Sequence, residues 1–344
     1  MSRDVRGDGS DLRCAQKDNA SLGEFELIDR YFVRAKSAPS RRPDVILGIG
    51  DDAALLHVPE GSDLVAAVDT LVAGRHFPPN SDAQSIGHRA LAVNLSDIAA
   101  MGATPAWATL ALTLPCADGN WLERFSAGLE RLADANGVEL VGGDTTAGPL
   151  TISVQILGHV ASGSALRRGG AHAGDILAVS GTLGDAGAGL ALVTGRLASV
   201  DDAAAAELIE RFEYPTPRVL FGCAARGLAS AAMDLSDGLA GDLPKFANAS
   251  GLSAHVEVAH LPLSRALVRS VPATQALDWA LAAGDDYELL VAVPPARFDE
   301  LQAIARQLNL TLTAIGELRP GSGVTWQLNG DSFAAPASGY DHFR

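Results

Sequence analysis

Six short stretches carry side chains that could do chemistry: Gly48-Ile49-Gly50-Asp51-Asp52, Val68-Asp69-Thr70, Asn94-Leu95-Ser96-Asp97, Gly142-Gly143-Asp144-Thr145-Thr146, Asp234-Leu235-Ser236-Asp237-Gly238 and Gly284-Asp285-Asp286-Tyr287. In most of them an apolar or β-prone segment runs into Asp beside Gly or Ser. A carboxylate there cannot sink into a core unless something positive neutralises it, and glycine lets the backbone approach a ligand closely. Any single such acid reads equally well as a turn or cap residue. Together, Asp52, Asp69, Asp97, Asp144, Asp234 and Asp237 suggest convergence on several hard cations, magnesium or calcium, and magnesium usually arrives with phosphates. Asp51 and Asp286 read as caps or structural acids. Phosphoryl transfer fits this set, because it needs positioning and charge neutralisation more than covalent chemistry. Arg168, in the Arg167-Arg168 pair, is a candidate for the phosphates, with a solvated pair as the competing reading. His76 is a candidate substrate contact, with an ordinary structural histidine as the alternative. The Gly181-Thr182-Leu183-Gly184-Asp185-Ala186-Gly187 turn could cradle phosphate at a helix start, but a plain strand-to-helix turn is the stronger reading. The chain has no GxxxxGK[ST] sequence, no protein-kinase motif set and no Ser/His/Asp or cysteine nucleophile in a credible setting, which disfavours acyl-enzyme hydrolysis.

These residues have to be positioned by a chain of 344 residues, more than one hydrophobic core usually takes, so two domains are expected. Acids exceed bases by 41 to 26, giving a net charge of −15 that argues against nonspecific nucleic-acid binding. No apolar run is long enough to span a membrane. Residues 1–22 are polar and lack a signal-peptide core, which reads as a disordered extension on a cytoplasmic protein. Cys14, Cys116 and Cys223 are far apart with no CxxC pair, so neither a disulfide framework nor a zinc site is expected, as in a reducing compartment.

Hydrophobic spacing predicts a helix over 24–35, strands over 45–49 and 64–68 that stop at Asp51 and Asp69, and a long helix over 82–101 capped by Asp82. On that helix Ile86, Ala90, Val93 and Asp97 share one face. A strand over 109–114, a helix over 120–136 stopped at Gly137, a short strand over 139–141 ending at Gly142-Gly143-Asp144, and an alternating strand over 151–160 complete an N-terminal α/β domain of residues 23–160. A Gly-, Ser- and Arg-rich stretch from 161 opens a C-terminal α/β domain, residues 161–344. It has strands over 175–180, 231–235, 254–258, 287–293, 312–315 and 324–328 and helices between. Leu-Ser-Asp occurs at both 95–97 and 235–237, a faint echo of two acid-bearing lobes facing one cleft.

Read in order, these stretches resemble the thiamine-monophosphate kinase family. The resemblance adds Gly23-Glu24-Phe25-Glu26-Leu27-Ile28, Arg75-His76-Phe77, Asp286-Tyr287-Glu288-Leu289 and Gly339-Tyr340-Asp341-His342-Phe343, and it runs from about Gly23 to the C-terminus. It implies ATP-dependent phosphorylation of thiamine monophosphate to thiamine diphosphate. It also implies the two-domain α/β fold shared with aminoimidazole ribonucleotide synthetase, with N-terminal sheets of two subunits pairing in a homodimer. By resemblance, Asp52, Asp69, Asp97, Asp144, Asp234 and Asp237 match magnesium ligands, and Gly143, Asp144, Arg168 and Ser236 match nucleotide-phosphate contacts. His76, Asp285 and Tyr340 match substrate positions. No general base is assigned, since the acceptor phosphate is already ionised. Two residues depart from the family pattern: Ala67-Val68 replace hydroxyl residues before Asp69, and Asp285 stands where Glu is common. The rival readings are another ATP-dependent enzyme of the same superfamily, of the aminoimidazole ribonucleotide synthetase or selenophosphate synthetase type, and a nucleotide- or thiamine-binding sensor without turnover.

Overall fold

The computed structural model describes residues 23–33, 42–198 and 201–336. The extension 1–22 and the substrate candidate Tyr340 lie outside them. The first part of the chain forms α1 (Glu24–Tyr31), β1 (Val45–Leu47), β2 (Leu55–Leu56), β3 (Ser62–Val72), α2 (Ala83–Ala100), β4 (Thr104–Leu114), α3 (Gly119–Asn136), β5 (Glu139–Ala147) and β6 (Thr151–Ala161). The second part forms β7 (Ile176–Ser180), α4 (Asp185–Val193), α5 (Asp202–Glu213), α6 (Val219–Ala225), β8 (Ala231–Leu235), α7 (Leu239–Ala249) and β9 (Leu252–Glu257). It continues through α8 (Arg265–Ser270), α9 (Ala273–Ala282), β10 (Glu288–Val293), α10 (Pro295–Gln307), β11 (Leu312–Pro320), β12 (Val324–Leu328) and β13 (Asp331–Ser332). The fold is mixed α/β, with a four-stranded sheet in the order β3-β6-β4-β5 and a seven-stranded sheet in the order β13-β12-β9-β11-β7-β10-β8.

Several strands run further than the sequence suggests, and two of them carry acids into the sheet. β3 continues through Asp69 to Val72, and β5 through Asp144 to Ala147. Both acids therefore sit on a sheet with a definite face, because successive side chains alternate. In β3, Leu71 is buried and Val65 and Ala67 pack on the core, so the odd-numbered residues face the helices. Leu64 and Val68 point the other way and are 52% and 63% exposed. Helices α8 and α9 were not foreseen from the sequence. Cys116, expected as an isolated thiol, is disulfide-bonded, whereas Cys223 is free.

Helix α2 lies between the two sheets. It packs on β3, β4 and β6 of the first and on β8 and β10 of the second, with α3 and α6 alongside. Of its residues only Gln84 and Asp97 escape burial. The single apolar stripe read from the sequence is thus incomplete, since a helix enclosed on all sides needs small or apolar residues all round. Asp82 caps it as expected, accepting from the Gln84 and Ser85 backbone N–H groups at 3.1 and 3.3 Å. One continuous apolar core runs from Leu27 through Ile86, Leu95 and Ile156 to Val291 and Leu301, joining both sheets through this helix. A second core fills the far face of the larger sheet, beneath α7.

The α2–α3 crossing depends on two glycines. A Cβ on Gly87 would lie 2.0 Å from the Phe125 carbonyl oxygen, and one on Gly128 would lie 2.0 Å from that of Gln84. Gly128→Val should therefore push α3 off α2 and cost about 3 kcal/mol of stability, as overpacking does. Chemical denaturation checks this, and an unchanged midpoint would contradict it.

Candidate active site

The sequence Asn94-Leu95-Ser96-Asp97 places three polar side chains near the C-terminal end of a buried helix, and each has a distinct job. Asn94 accepts the Asp69 backbone N–H on its Oδ1 at 3.1 Å and donates its Nδ2 to the Ala90 carbonyl at 3.0 Å. It thereby fixes the register of β3 against α2. The Ser96 hydroxyl donates to Asp234 Oδ2 of β8 at 3.0 Å. Asp97 is the side chain left at the edge of the packing. Asp69, Asp97, Asp234 and Asp237, one group from each of three elements and the loop after β8, line a single cavity of about 1510 Å³.

Burial lifts all three of the inner carboxyls. Asp97 is pushed up to about 7 by burial and by the charges of Asp234 and Asp69, with Arg168 pulling the other way. Asp234 is pushed up to about 6 by burial and by Asp242 and Asp69, against the hydrogen bond from Ser96 and the charge of Arg168. Burial likewise raises Asp69. These carboxylates repel one another in a place where water cannot fully screen them. The loop beyond Asp234 is held differently: Asp242, fully buried, accepts the Ser236 and Asp237 backbone N–H groups at 3.1 and 2.9 Å. Lys245 bridges Asp237 and Asp242 at 2.7 and 3.1 Å.

The rest of the cavity wall has another character. It includes Arg75, His76, Phe77, Asp278, Trp279, Asp285 and Tyr287, and at its margin Ala334 and Pro336, where the described C-terminal chain ends. The Val72 backbone N–H donates to His76 Nδ1 at 2.9 Å, so the neutral ring carries its proton on Nε2. Asp285 has a left-handed backbone with φ 73°. It forms an ion pair with Arg89 of α2 at 2.5 Å and accepts the Tyr287 hydroxyl at 3.2 Å, both on Oδ1.

Among the residues expected from sequence, Asp69, Asp97, Asp234, Asp237, Ser236, His76 and Asp285 meet in this cavity. Arg168 follows β6 on an exposed turn and acts on Asp97 and Asp234 through its charge. Asp52 stands exposed between β1 and β2, away from the lining. Asp144 is also exposed, and its pairing with Ala111, Ser153 and Thr70 puts it on the outer face of the sheet, opposite to Asp69. Beside it, Gly143 has φ 152°, and a Cβ there would lie 1.9 Å from the Leu110 carbonyl oxygen, so β5 can approach β4 only with glycine. The Gly181–Gly187 turn is structural as read: the Asp286 carboxylate fills the start of α4, accepting Gly184 and Ala186 N–H at 2.7 and 3.2 Å. Asp51 caps Asp52 N–H at 2.8 Å.

Sequence reasoning missed Arg89, Lys245, Trp279 and the hydroxyl of Tyr287. For Arg89 a signal existed: an arginine inside an otherwise small and apolar helix needs a buried anion. Among the described residues no three acidic, histidine or cysteine side chains are close enough to enclose a metal ion by themselves. Magnesium is ordinarily held by one or two carboxylates plus substrate phosphates, and carboxylate pairs such as Asp97 and Asp234 fit that habit.

The sequence matches the family AIR synthase related protein, N-terminal domain, over residues 50–160 and its C-terminal domain over residues 172–329. It is 49% identical to the thiamine-monophosphate kinase of Salmonella typhimurium over 324 residues, which cover 94% of this chain and 99% of that one. A solved thiamine-monophosphate kinase from Stenotrophomonas maltophilia is 46% identical, covers 91% of this chain and 99% of its own, and superposes with a TM-score of 0.82. A structure described as AaThiL complexed with AMPPCP and TMP is 32% identical over 83% of this chain and 89% of its own, with a TM-score of 0.74.

The carboxyl cluster makes a pH-dependent prediction. With its pKa raised from 3.8 to about 7, Asp97 keeps its proton in the folded chain where the unfolded chain has lost it. Its contribution is complete at acid pH and is lost as pH rises through about 7. In cation-free buffer Asp97→Asn should raise the melting temperature by about 2–4 °C at about pH 8 and change it little at about pH 4. Equal effects at both pH values in calorimetry would contradict the repulsion.

Proposed function

Since the chain belongs to the thiamine-monophosphate kinase family, we propose that it transfers the γ-phosphoryl group of ATP to thiamine monophosphate, giving thiamine diphosphate and ADP. The observation that carries this reading is one cavity with an acidic end, Asp69, Asp97, Asp234 and Asp237, and an end walled by aromatic and polar groups, His76, Phe77, Trp279, Asp285 and Tyr287. The first suits cation-bridged phosphates and the second a flat, cationic heteroaromatic acceptor. The synthetase and sensor readings have no comparable support in the kinases that this chain resembles along nearly its whole length.

In this mechanism a phosphate oxygen of thiamine monophosphate attacks the γ-phosphorus in line, and the bond to the β-phosphate oxygen breaks as ADP leaves. The acceptor phosphate is ionised, so no side chain has to remove a proton. Asp69, Asp97, Asp234 and Asp237 would hold magnesium together with the phosphates. When bound, magnesium supplies charge neutralisation between two polyanions and at the transferring oxygens. The chain's own part is positional: Asn94 and Ser96 hold Asp69 and Asp234 at fixed places over Asp97, so the site is assembled before substrate arrives. Arg168 and Ser236 are assigned to the nucleotide phosphates, and His76, Asp285 and Tyr340 to the acceptor. The tail reaches the cavity at Pro336, which suits Tyr340 for stacking on a ring of thiamine.

We further infer a homodimer in the cytoplasm, with the outer face of the four-stranded sheet as interface. That face exposes Leu64 and Val68, and a second copy is the occupant whose own matching face would cover them. Asp144, which follows Gly143 on β5, stands on this face, so its assigned role toward magnesium and ATP depends on the assembly. Asp52, exposed between β1 and β2, would hold magnesium by the resemblance alone.

An ADP-release assay with ATP, magnesium and thiamine monophosphate tests the activity. Turnover is expected with thiamine monophosphate and not with thiamine; no release above the ATP-only background would overturn the reading. Light scattering at micromolar concentration should give twice the chain mass, and Val68→Lys should lower it toward one chain. A wild-type monomer would refute the interface.

A further inference from the structure

Arg89 lies about two turns before Asp97 on α2, where it meets the Asp285 loop of the cavity wall, and none of the roles above uses it. It is 3% exposed. One guanidinium nitrogen pairs with Asp285 Oδ1 at 2.5 Å, and another donates to the Phe212 carbonyl of α5 at 2.6 Å. Its Cζ sits 4.6 Å from the Phe212 ring centroid and 5.9 Å from that of Tyr287, while its Nε has no hydrogen-bond partner among the described residues. Burying a guanidinium this fully is costly unless a fixed anion meets it. The anion it meets is peculiar. Asp285 takes up a left-handed backbone, φ 73°, which a non-glycine residue adopts only when its surroundings hold it there. The neighbours do hold it: Asp285 N–H donates to the Ser236 carbonyl at 2.9 Å and Tyr287 N–H to the Leu235 carbonyl at 3.0 Å. At Gly284 a Cβ would lie 2.2 Å from that same Ser236 oxygen, so the loop is pressed on the strand that carries Asp234.

Both anchors, Arg89 and the Tyr287 hydroxyl, take the same oxygen, Oδ1. Oδ2 makes no hydrogen bond to any described residue, and Asp285 lines the cavity. We propose that Arg89 is a positioning residue for acceptor recognition: with the Tyr287 hydroxyl it locks Asp285 by one oxygen so that the other is presented to a cationic or amine-bearing ring of the acceptor. The proposal rests on the kinase reading for the identity of that acceptor. It gives the shorter Asp285 a physical basis, since the carboxylate is placed by a strained backbone and a buried guanidinium and not by side-chain reach. It also ties the acceptor end to the helix that carries Asp97, so one rigid element sets the spacing of both ends.

Steady-state kinetics of Arg89→Met, Arg89→Lys, Tyr287→Phe, Asp285→Asn and the Arg89→Met/Asp285→Asn double variant, with each substrate varied in turn, test it. Arg89→Met should raise the KM for thiamine monophosphate about tenfold, the size seen when an outer-shell partner is removed. The KM for ATP and kcat should stay within about twofold, because the phosphate end is untouched. Arg89→Lys should recover part of the loss, and Tyr287→Phe should shift the same KM in the same direction by less. In the Asp285→Asn background Arg89→Met should add little, since it acts through Asp285. Equal changes in both KM values and kcat, or full additivity in the double variant, would show a merely structural arginine and overturn the proposal. If Arg89→Met fails to fold, Tyr287→Phe decides, and an unchanged acceptor KM in that variant overturns it. Wild-type turnover with no acceptor-specific effect in any variant sinks the positioning role alone; absence of wild-type turnover removes the acceptor itself and the proposal with it.

Discussion

Enclosure of α2 between two sheets is the constraint on which everything else depends. A helix with only Gln84 and Asp97 outside the packing cannot shift along or rotate about its axis without breaking contacts with both sheets. Polar side chains on such a helix are costly, so each must find a partner. Arg89 finds Asp285, Asn94 finds the backbone of Asp69, and Ser96 finds Asp234. Each partner comes from a different part of the chain, and each lines the same cavity. The helix thus acts as a gauge that fixes three acids and the Asp285 loop relative to one another.

The same enclosure generates the site's electrostatic imbalance. Asp69, Asp97 and Asp234 sit where burial disfavours their charge and where Arg168 compensates only partly. A fold selected for stability alone would replace them with apolar residues. Keeping them leaves a place that favours divalent cations and any phosphates they bring. Buried Glu288, by contrast, is neutralised internally, bonded by Ser180, Arg211 and Arg218.

Much of this was legible in the sequence, for identifiable reasons. Asp97 stood out because an acid on the apolar face of a helix has no local partner. Asp286 and the Gly181–Gly187 turn were read as structural, and the structure joins them to each other. Asp82 and Gly137 marked the ends of α2 and α3 through ordinary capping chemistry. What escaped was long-range. The enclosure of α2 on all sides needs the second sheet, which no window of sequence contains. Arg89, set in a small and apolar helix, calls for a buried anion, but which one is fixed only when Asp285 is brought to it from far along the chain. Strand lengths escaped as well, because Asp69 and Asp144 look like strand ends but are carried inside β3 and β5. Face then follows from register, and it sets Asp144 opposite to Asp69.

The central claim is that the acids around the end of α2 hold a divalent cation jointly with phosphate, since no three described ligand side chains are near enough to do so alone. Manganese binding followed by electron paramagnetic resonance, with and without a non-hydrolysable ATP analogue, tests it most directly. Weak binding to the protein alone, tightened at least about tenfold by the nucleotide and lost in Asp97→Asn, is the predicted result. Binding of equal strength with and without nucleotide, or binding retained in Asp97→Asn, would contradict the account.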